Sequence, residues 1–172
     1  RLREIDIADL LGRAEVTLGD ESALARFLGG KRVLVTGAGG SIGSELARQV
    51  LRAGPEQLIL VERSENALFQ IDRELRRLGH DGILPVARVA DIADLKRMQR
   101  IFDETRPQIV LHAAAHKHVP LMETNVCEAI DNNVLATRRL GELATQANVE
   151  TFLLLSTDKA VYPTSVMGAT KR

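Results

Sequence analysis

A doubly wound α/β domain, with one parallel sheet of strand order 3-2-1-4-5 and helices on both faces, is predicted by three features of the sequence. From Lys31 onward, short apolar runs alternate with longer stretches of helical period, as strands and covering helices of a parallel sheet do. The composition is aliphatic: 45% of the 172 residues are apolar types and only 3% aromatic, so the core is built from Leu, Val, Ile and Ala. A glycine cluster follows the first apolar run directly, where a strand would turn into a helix.

Residues 1–30 are charged and lightly amphipathic (Ile5, Ile7, Leu10, Leu11), with Gly12 and Gly29-Gly30 as breakers, and form a lead-in. The domain proper runs over 31–172. Strands are expected at Val33–Thr36, Leu58–Glu62, Leu84–Ala90, Gln108–His112 and Thr151–Ser156. Helices are expected at Ser41–Ala53, Ser64–Leu78, Leu95–Glu104 and, as one long element, Glu123–Asn148. The third helix carries a stripe of Leu95, Met98, Ile101 and Phe102 for burial, with Lys96, Arg97 and Arg100 toward water. Right-handed crossovers then place a ligand crevice at the carboxyl ends of strands 1 and 4.

Lys plus Arg and Asp plus Glu each number 23, so the formal net charge is zero and neither a nucleic-acid footprint nor a polybasic membrane patch is present. The single cysteine, Cys127, can form no internal disulfide or thiolate metal cluster, which suits a reducing, cytoplasmic setting. No stretch reaches the roughly 18 apolar residues of a membrane span, and no signal-peptide pattern opens the chain. The first residue is Arg1 and the last three, Thr170-Lys171-Arg172, stop in mid-pattern, so a piece of a longer protein is expected.

The first turn reads Thr36-Gly37-Ala38-Gly39-Gly40-Ser41-Ile42-Gly43. Gly37 permits a tight turn off the strand, Gly40 lets backbone approach a pyrophosphate, and Gly43 lets the helix lie close on the sheet. With Thr36, Gly39, Ser41 and Ile42, these residues are assigned to a dinucleotide whose phosphates face the helix N-terminus. The competing reading is a glycine-rich turn that binds nothing. Glu62 closes strand 2 about twenty residues beyond the last glycine, where a carboxylate takes the adenosine ribose hydroxyls and favours NAD. Arg63 could instead pair with a 2′-phosphate, which keeps NADP as the alternative. Asp91 and Ile92 are placed at the adenine edge, with a turn-capping role for Asp91 as the alternative.

Strand 4 runs into His112-Ala113-Ala114-Ala115-His116-Lys117-His118. Ala113, Ala114 and Ala115 keep the wall thin for a flat cofactor. The histidines invite a metal reading, but no cysteine or carboxylate completes a shell, and no metal is expected. Lys117 and His118 are assigned to the substrate mouth, against the plainer reading of a solvated basic loop.

Strand 5 delivers Ser156-Thr157-Asp158-Lys159-Ala160-Val161, and Met167-Gly168-Ala169-Thr170-Lys171 follows. Here the chain resembles the extended short-chain dehydrogenases/reductases, and among them the CapD-like polysaccharide biosynthesis family of UDP-N-acetylglucosamine 4,6-dehydratases. The likeness rests on TGAGGSIGSEL (Thr36–Leu46), HAAAHKHVPLME (His112–Glu123), NNV (Asn132–Val134), STDKAV (Ser156–Val161) and VMGATKR (Val166–Arg172). It implies a Rossmann-type fold, cut after the equivalent of the YxxxK motif, with the C-terminal substrate-binding part missing.

The resemblance also implies a redox-neutral elimination on a UDP-N-acetylhexosamine. Hydride leaves C4 for the nicotinamide, the 4-ketone acidifies the C5 proton, water departs across C5–C6, and hydride returns to C6. In that scheme Asp158, its pKa raised in a closed site, protonates the departing C6 hydroxyl. Lys159, its pKa depressed by burial and nearby positive charge, takes the C5 proton. Thr157 hydrogen-bonds the C4 oxygen and Lys171 holds the nicotinamide ribose. Met167 stands where most of the superfamily has a tyrosine base, and a thioether accepts no proton at neutral pH. Thr157, a water and Lys171 form the candidate relay in its place, and Met167 has a plain reading as core filler. Tyr162 is expected to pack or cap the loop, and Tyr162-Pro163-Thr164-Ser165 departs from the NPTN expected there. Asn133 is expected to bond backbone. The resemblance further implies a longer parent on the cytoplasmic face of the inner membrane, with homo-oligomerisation left open and little turnover by this piece alone. The rival functions are a nucleotide-sugar 4-epimerase or reductase on the same scaffold, and a non-catalytic dinucleotide-binding module.

Overall fold

The structure, a computed structural model, describes residues 21–79 and 82–172. Most of the lead-in pattern, from Ile5 to Gly12, lies outside the described residues. The remainder begins with helix α1 (Glu21–Leu28) and strand β1 (Arg32–Thr36). Then come α2 (Ser41–Arg52), β2 (Gln57–Glu62), α3 (Glu65–Leu78), β3 (Val86–Val89), α4 (Leu95–Thr105) and β4 (Ile109–His112). Two short helices, α5 (Val119–Thr124) and α6 (Val126–Ile130), lead through a π-helical turn at Asp131–Ala136 into α7 (Thr137–Gln146). Strand β5 (Thr151–Leu154), a 3₁₀ turn at Asp158–Ala160 and helix α8 (Val166–Thr170) complete the chain.

The five strands are parallel in the order β3-β2-β1-β4-β5, as the alternation of apolar runs and helices requires. Residues alternate between the two faces of each strand. On one face Val33, Val35, Leu58, Leu60, Ile109 and Leu111 meet Ala47, Val50 and Leu51 of α2 and Leu68, Ile71 and Leu75 of α3. On the other, Leu34, Ile59 and Val110 meet Met98, Ile101 and Phe102 of α4 and Leu140, Leu143 and Ala144 of α7. Each fully buried side chain of this kind contributes about 1.5–3 kcal/mol. Ser64 and Asp94 cap α3 and α4 by accepting from the Ala67 and Arg97 amides.

Several expected boundaries move, each for a physical reason. Leu95, the first residue after the N-cap Asp94, leaves the buried stripe of α4 and is 42% exposed. Strand β3 is shorter than expected: Leu84 is exposed, and Pro85, which lacks an amide donor, precedes the first paired residue. Strand β5 ends at Leu154 rather than Ser156. The long helix expected over Glu123–Asn148 is broken at Asn125 (φ −131°, ψ 57°), whose amide Nδ2 donates to the Leu121 carbonyl at 2.8 Å. The π turn then inserts an extra residue per turn, which an apolar repeat read at helical spacing does not register.

The register levels the carboxyl ends of the central strands, with Thr36 opposite Val61 on one side and His112 on the other, and His112 opposite Leu154. Everything expected to bind or react follows from these ends.

Candidate functional site

A cleft of about 240 Å³ opens at the carboxyl ends of β1, β2, β3 and β4. Its floor is the turn from β1 to α2. Gly37 has φ +64°, and a Cβ there would lie 2.7 Å from the Ala114 nitrogen and 2.9 Å from the Ala113 carbonyl carbon. A Cβ on Gly43 would run into the Gly37 carbonyl. Gly40, the N-cap of α2, has no side chain to cap the helix, and the first turn carries no acidic residue. The first-turn amides, which have no intrahelical acceptor, therefore face the cleft at the positive end of the helix dipole. This cradle of unpaired amides, reached without a side chain at Gly40, fits the phosphates of a dinucleotide. Ser41 and Ile42 line it as well, whereas Gly39 packs against Ala67 and turns its amide to Glu62.

Glu62 is fixed by two backbone donors: Gly39 N–H to Oε2 at 3.2 Å and Ser64 N–H to Oε1 at 3.0 Å. Its carboxylate thus stands at the rim of the cleft as a preset acceptor. Arg63 is 3.8 Å from Asp91, an exposed pair of small energetic weight. Asp91 lines the cleft beside Ile92 and also takes the Ala93 amide at 2.9 Å, the turn-capping contact weighed for it from sequence.

The far wall is Ala113, Ala114 and Ala115, followed by His116 and Lys117. It is anchored from behind by His112, which is fully buried. Its Nδ1 lies 2.6 Å from Thr36 Oγ1 and its Nε2 2.9 Å from Thr137 Oγ1, and the Ala114 amide donates to Thr36 Oγ1 at 3.4 Å. Burial, with the nearby Lys171 charge second, lowers its pKa to about 4, so the ring is neutral at pH 7. With both ring nitrogens bonded to threonines, His112 is no metal ligand. His116 is pushed below the ordinary histidine value by burial and then by the Arg63 charge. His118 is exposed and serves as the N-cap residue of α5.

His116 and Asn132 line the cleft without having been assigned to it from sequence. The π turn brings Asn132 there and aims Asn133 at the β4 loop. Asn133 Oδ1 accepts the His116 amide at 2.8 Å, and its Nδ2 donates to the His116 carbonyl at 2.9 Å and to Thr170 Oγ1 at 3.0 Å. Asn133 therefore bonds backbone, and it also ties the β4 loop to α8.

Thr157, Asp158, Lys159 and Lys171 gather beyond the cleft lining, beside the end of β5. Thr157 Oγ1 donates to Asp158 Oδ1 at 2.8 Å, and Lys159 Nζ lies 3.4 Å from the same oxygen. The Asp158 side chain is 87% exposed, and the Thr157 hydroxyl, then the Lys159 charge, hold it below the usual carboxylate range. The raised pKa expected for a proton donor is therefore absent, since nothing buries the group. The Lys159 side chain is 55% exposed, so the expected burial is absent there too. Lys171 is half-buried, which lowers its pKa, and its carbonyl accepts from Ser156 Oγ at 3.2 Å. Met167 is buried with Met122 and Ala129, as an apolar contact between α8 and the α5–α6 pair. Tyr162 is 88% exposed.

The family model described as polysaccharide biosynthesis protein matches residues 33–172. The chain is 47% identical over 171 residues to the capsular polysaccharide biosynthesis protein CapD of Staphylococcus aureus, spanning 99% of this chain but 28% of that protein. It is 31% identical over 143 residues to an inverting UDP-N-acetylglucosamine 4,6-dehydratase of Campylobacter jejuni, across 83% of this chain and 41% of the relative. Among solved structures, a UDP-glucose 4-epimerase of Stenotrophomonas maltophila with bound NAD and formylated UDP-arabinopyranose superposes with a TM-score of 0.73 at 26% identity. That match covers 82% of this chain and 45% of the epimerase. No helix among the described residues is long and apolar enough to cross a membrane.

Proposed function

This chain belongs to the polysaccharide biosynthesis protein family, and from that premise we propose that it is the cofactor-binding part of a nucleotide-sugar 4,6-dehydratase acting on a UDP-N-acetylhexosamine. The observation that carries the reading is the adjoining pair Asp158 and Lys159, presented on an exposed turn after β5, beyond the lining of the glycine-floored cleft. An epimerase needs no such pair, because it eliminates no water.

NAD, when bound, supplies a hydride acceptor that later gives the hydride back, so the reaction is redox-neutral. The α2 N-terminus holds the pyrophosphate, Glu62 accepts from the ribose hydroxyls, and Ala113–Ala115 let the cofactor lie against backbone. The Glu62 carboxylate, held in place by two backbone amides, repels a 2′-phosphate, which favours NAD over NADP. Lys117 offers positive charge, and His118 a ring N–H donor, to the anionic substrate. Lys171 holds the nicotinamide ribose, and Thr157, with a water, takes the C4 hydroxyl proton toward it. Asp158 gives a proton to the C6 oxygen as Lys159 removes the C5 proton. Substrate must therefore displace the Thr157 and Lys159 contacts that now keep Asp158 ionised.

A 4-epimerase remains the second reading, favoured by the likeness to the NAD-bound epimerase structure. The complete protein incubated with UDP-N-acetylglucosamine separates them. A product lighter by one water, with the alkaline chromophore of a 4-keto sugar, supports dehydration. UDP-N-acetylgalactosamine indicates epimerisation, and NAD binding without turnover indicates a binding module. Asp158→Asn and Lys159→Ala are expected to keep the cofactor and lose water elimination.

A further inference from the structure

Helix α8 approaches the Asp158–Ala160 turn more closely than any side chain would allow. A Cβ at Gly168 would stand 2.5 Å from the Lys159 carbonyl oxygen and 3.3 Å from its carbonyl carbon, where ordinary contact begins near 3.4 Å. Helix propensity alone would favour alanine at this position. One of the two elements has to yield by about 1 Å to admit a methyl group.

The structure says which one. Helix α8 is pinned at both ends and in the middle. The Glu123 carboxylate accepts the Val166 amide at 2.8 Å, Asn133 donates to Thr170 Oγ1 at 3.0 Å, and Met167 is buried against Met122 and Ala129. The Asp158–Ala160 turn has no buried residue, and the side-chain contacts of Asp158 are made to Thr157 and Lys159, its own chain neighbours. The turn is the softer partner.

We propose that Gly168 is a positioning residue: its missing side chain lets the turn carrying Asp158 and Lys159 seat on the pinned helix that carries Lys171, so that the acid, the base and the ribose lysine share one fixed geometry. The catalytic part of this inference rests on the dehydratase reading; the mechanical part does not. A displacement of about 1 Å at a reacting group can cost on the order of 100-fold in rate.

The test compares the complete protein with its Gly168→Ala variant. Expected are unchanged NAD affinity and a KM for UDP-N-acetylglucosamine within about threefold of the parent, with kcat lower by about tenfold or more. Hydrogen exchange is expected to quicken over residues 157–161 and to stay unchanged over 166–171. Faster exchange in 166–171 with a matching loss of NAD affinity would show that the helix yields instead, and overturns the proposal. A turn that loosens with kcat intact overturns the catalytic part. A parent protein that makes no 4-keto sugar sinks the dehydratase reading, while the exchange pattern still decides what Gly168 does. If the alanine variant fails to fold, Thr170→Val probes the pin: exchange should rise over 166–171 with 157–161 unchanged, and no rise in 166–171 overturns the pinned helix.

Discussion

Lowering the pH from 7 to 5 acts on one buried group in a way that can be worked out from its surroundings. His112 is wholly enclosed, with a pKa of about 4 against an ordinary value of 6.5. Because the folded-state value is the lower one, the unfolded chain binds the proton more readily. The penalty is absent above pH 6.5, grows as the pH falls, and is complete once the pH passes below the folded-state value of about 4. A shift of that size corresponds to about 3 kcal/mol in full, of which about 2 kcal/mol falls between pH 7 and pH 5. Urea unfolding of the chain at the two pH values, alongside His112→Gln, isolates the contribution, since both forms keep His116 and every carboxylate. The variant is expected to be less stable at pH 7, with the Thr36 and Thr137 hydroxyls losing their shared partner, but to lose about 2 kcal/mol less on acidification. Parallel pH dependence in the two proteins, or a signal assigned to the His112 imidazole that titrates near 6.5, would refute the reasoning.

Three further outcomes are expected. Gly37→Ala combines a positive φ with contact on the Ala113–Ala114 backbone, so calorimetry should show NAD binding weakened by about 100-fold or more. Glu62→Gln should shift the ratio of NAD to NADP affinity toward NADP by about tenfold, because the repelling charge goes while the amide oxygen keeps one of the two backbone bonds, its NH2 being unable to accept the other; an unchanged ratio removes Glu62 from cofactor choice. Ile101→Ala should cost about 2–5 kcal/mol in denaturant unfolding, whereas Leu95→Ala, at an exposed site on the same helix, should stay within about 0.5 kcal/mol.

The sheet was readable because short continuous apolar runs and longer stretches of period 3.6 differ sharply, and right-handed crossovers leave few orders for the strands. What escaped the pattern were features without a period. The break at Asn125 and the π turn at Asp131–Ala136 keep apolar residues coming at helical intervals, so Glu123–Asn148 looks like one helix. Leu95 fits the stripe of α4 by spacing, yet at the first position of the helix it stands exposed. In the cleft, the glycine turn, Glu62 and the three alanines carry their geometry in their own chemistry. His116 and Asn132 do not: one sits in a histidine run that suggests metal, the other in a turn whose extra residue is invisible to spacing. The ionised, exposed state of Asp158 and the contact of Gly168 with Lys159 depend on tertiary approach, which no local pattern encodes.

The most direct trial of the dehydratase reading follows a label through the reaction. The complete protein is supplied with UDP-N-acetylglucosamine bearing deuterium at C4, in ordinary water, and the product is read by NMR. Deuterium carried to the C6 methyl group of a 4-keto sugar is the expected result. Deuterium still at C4 of an epimerised or unchanged sugar would contradict it.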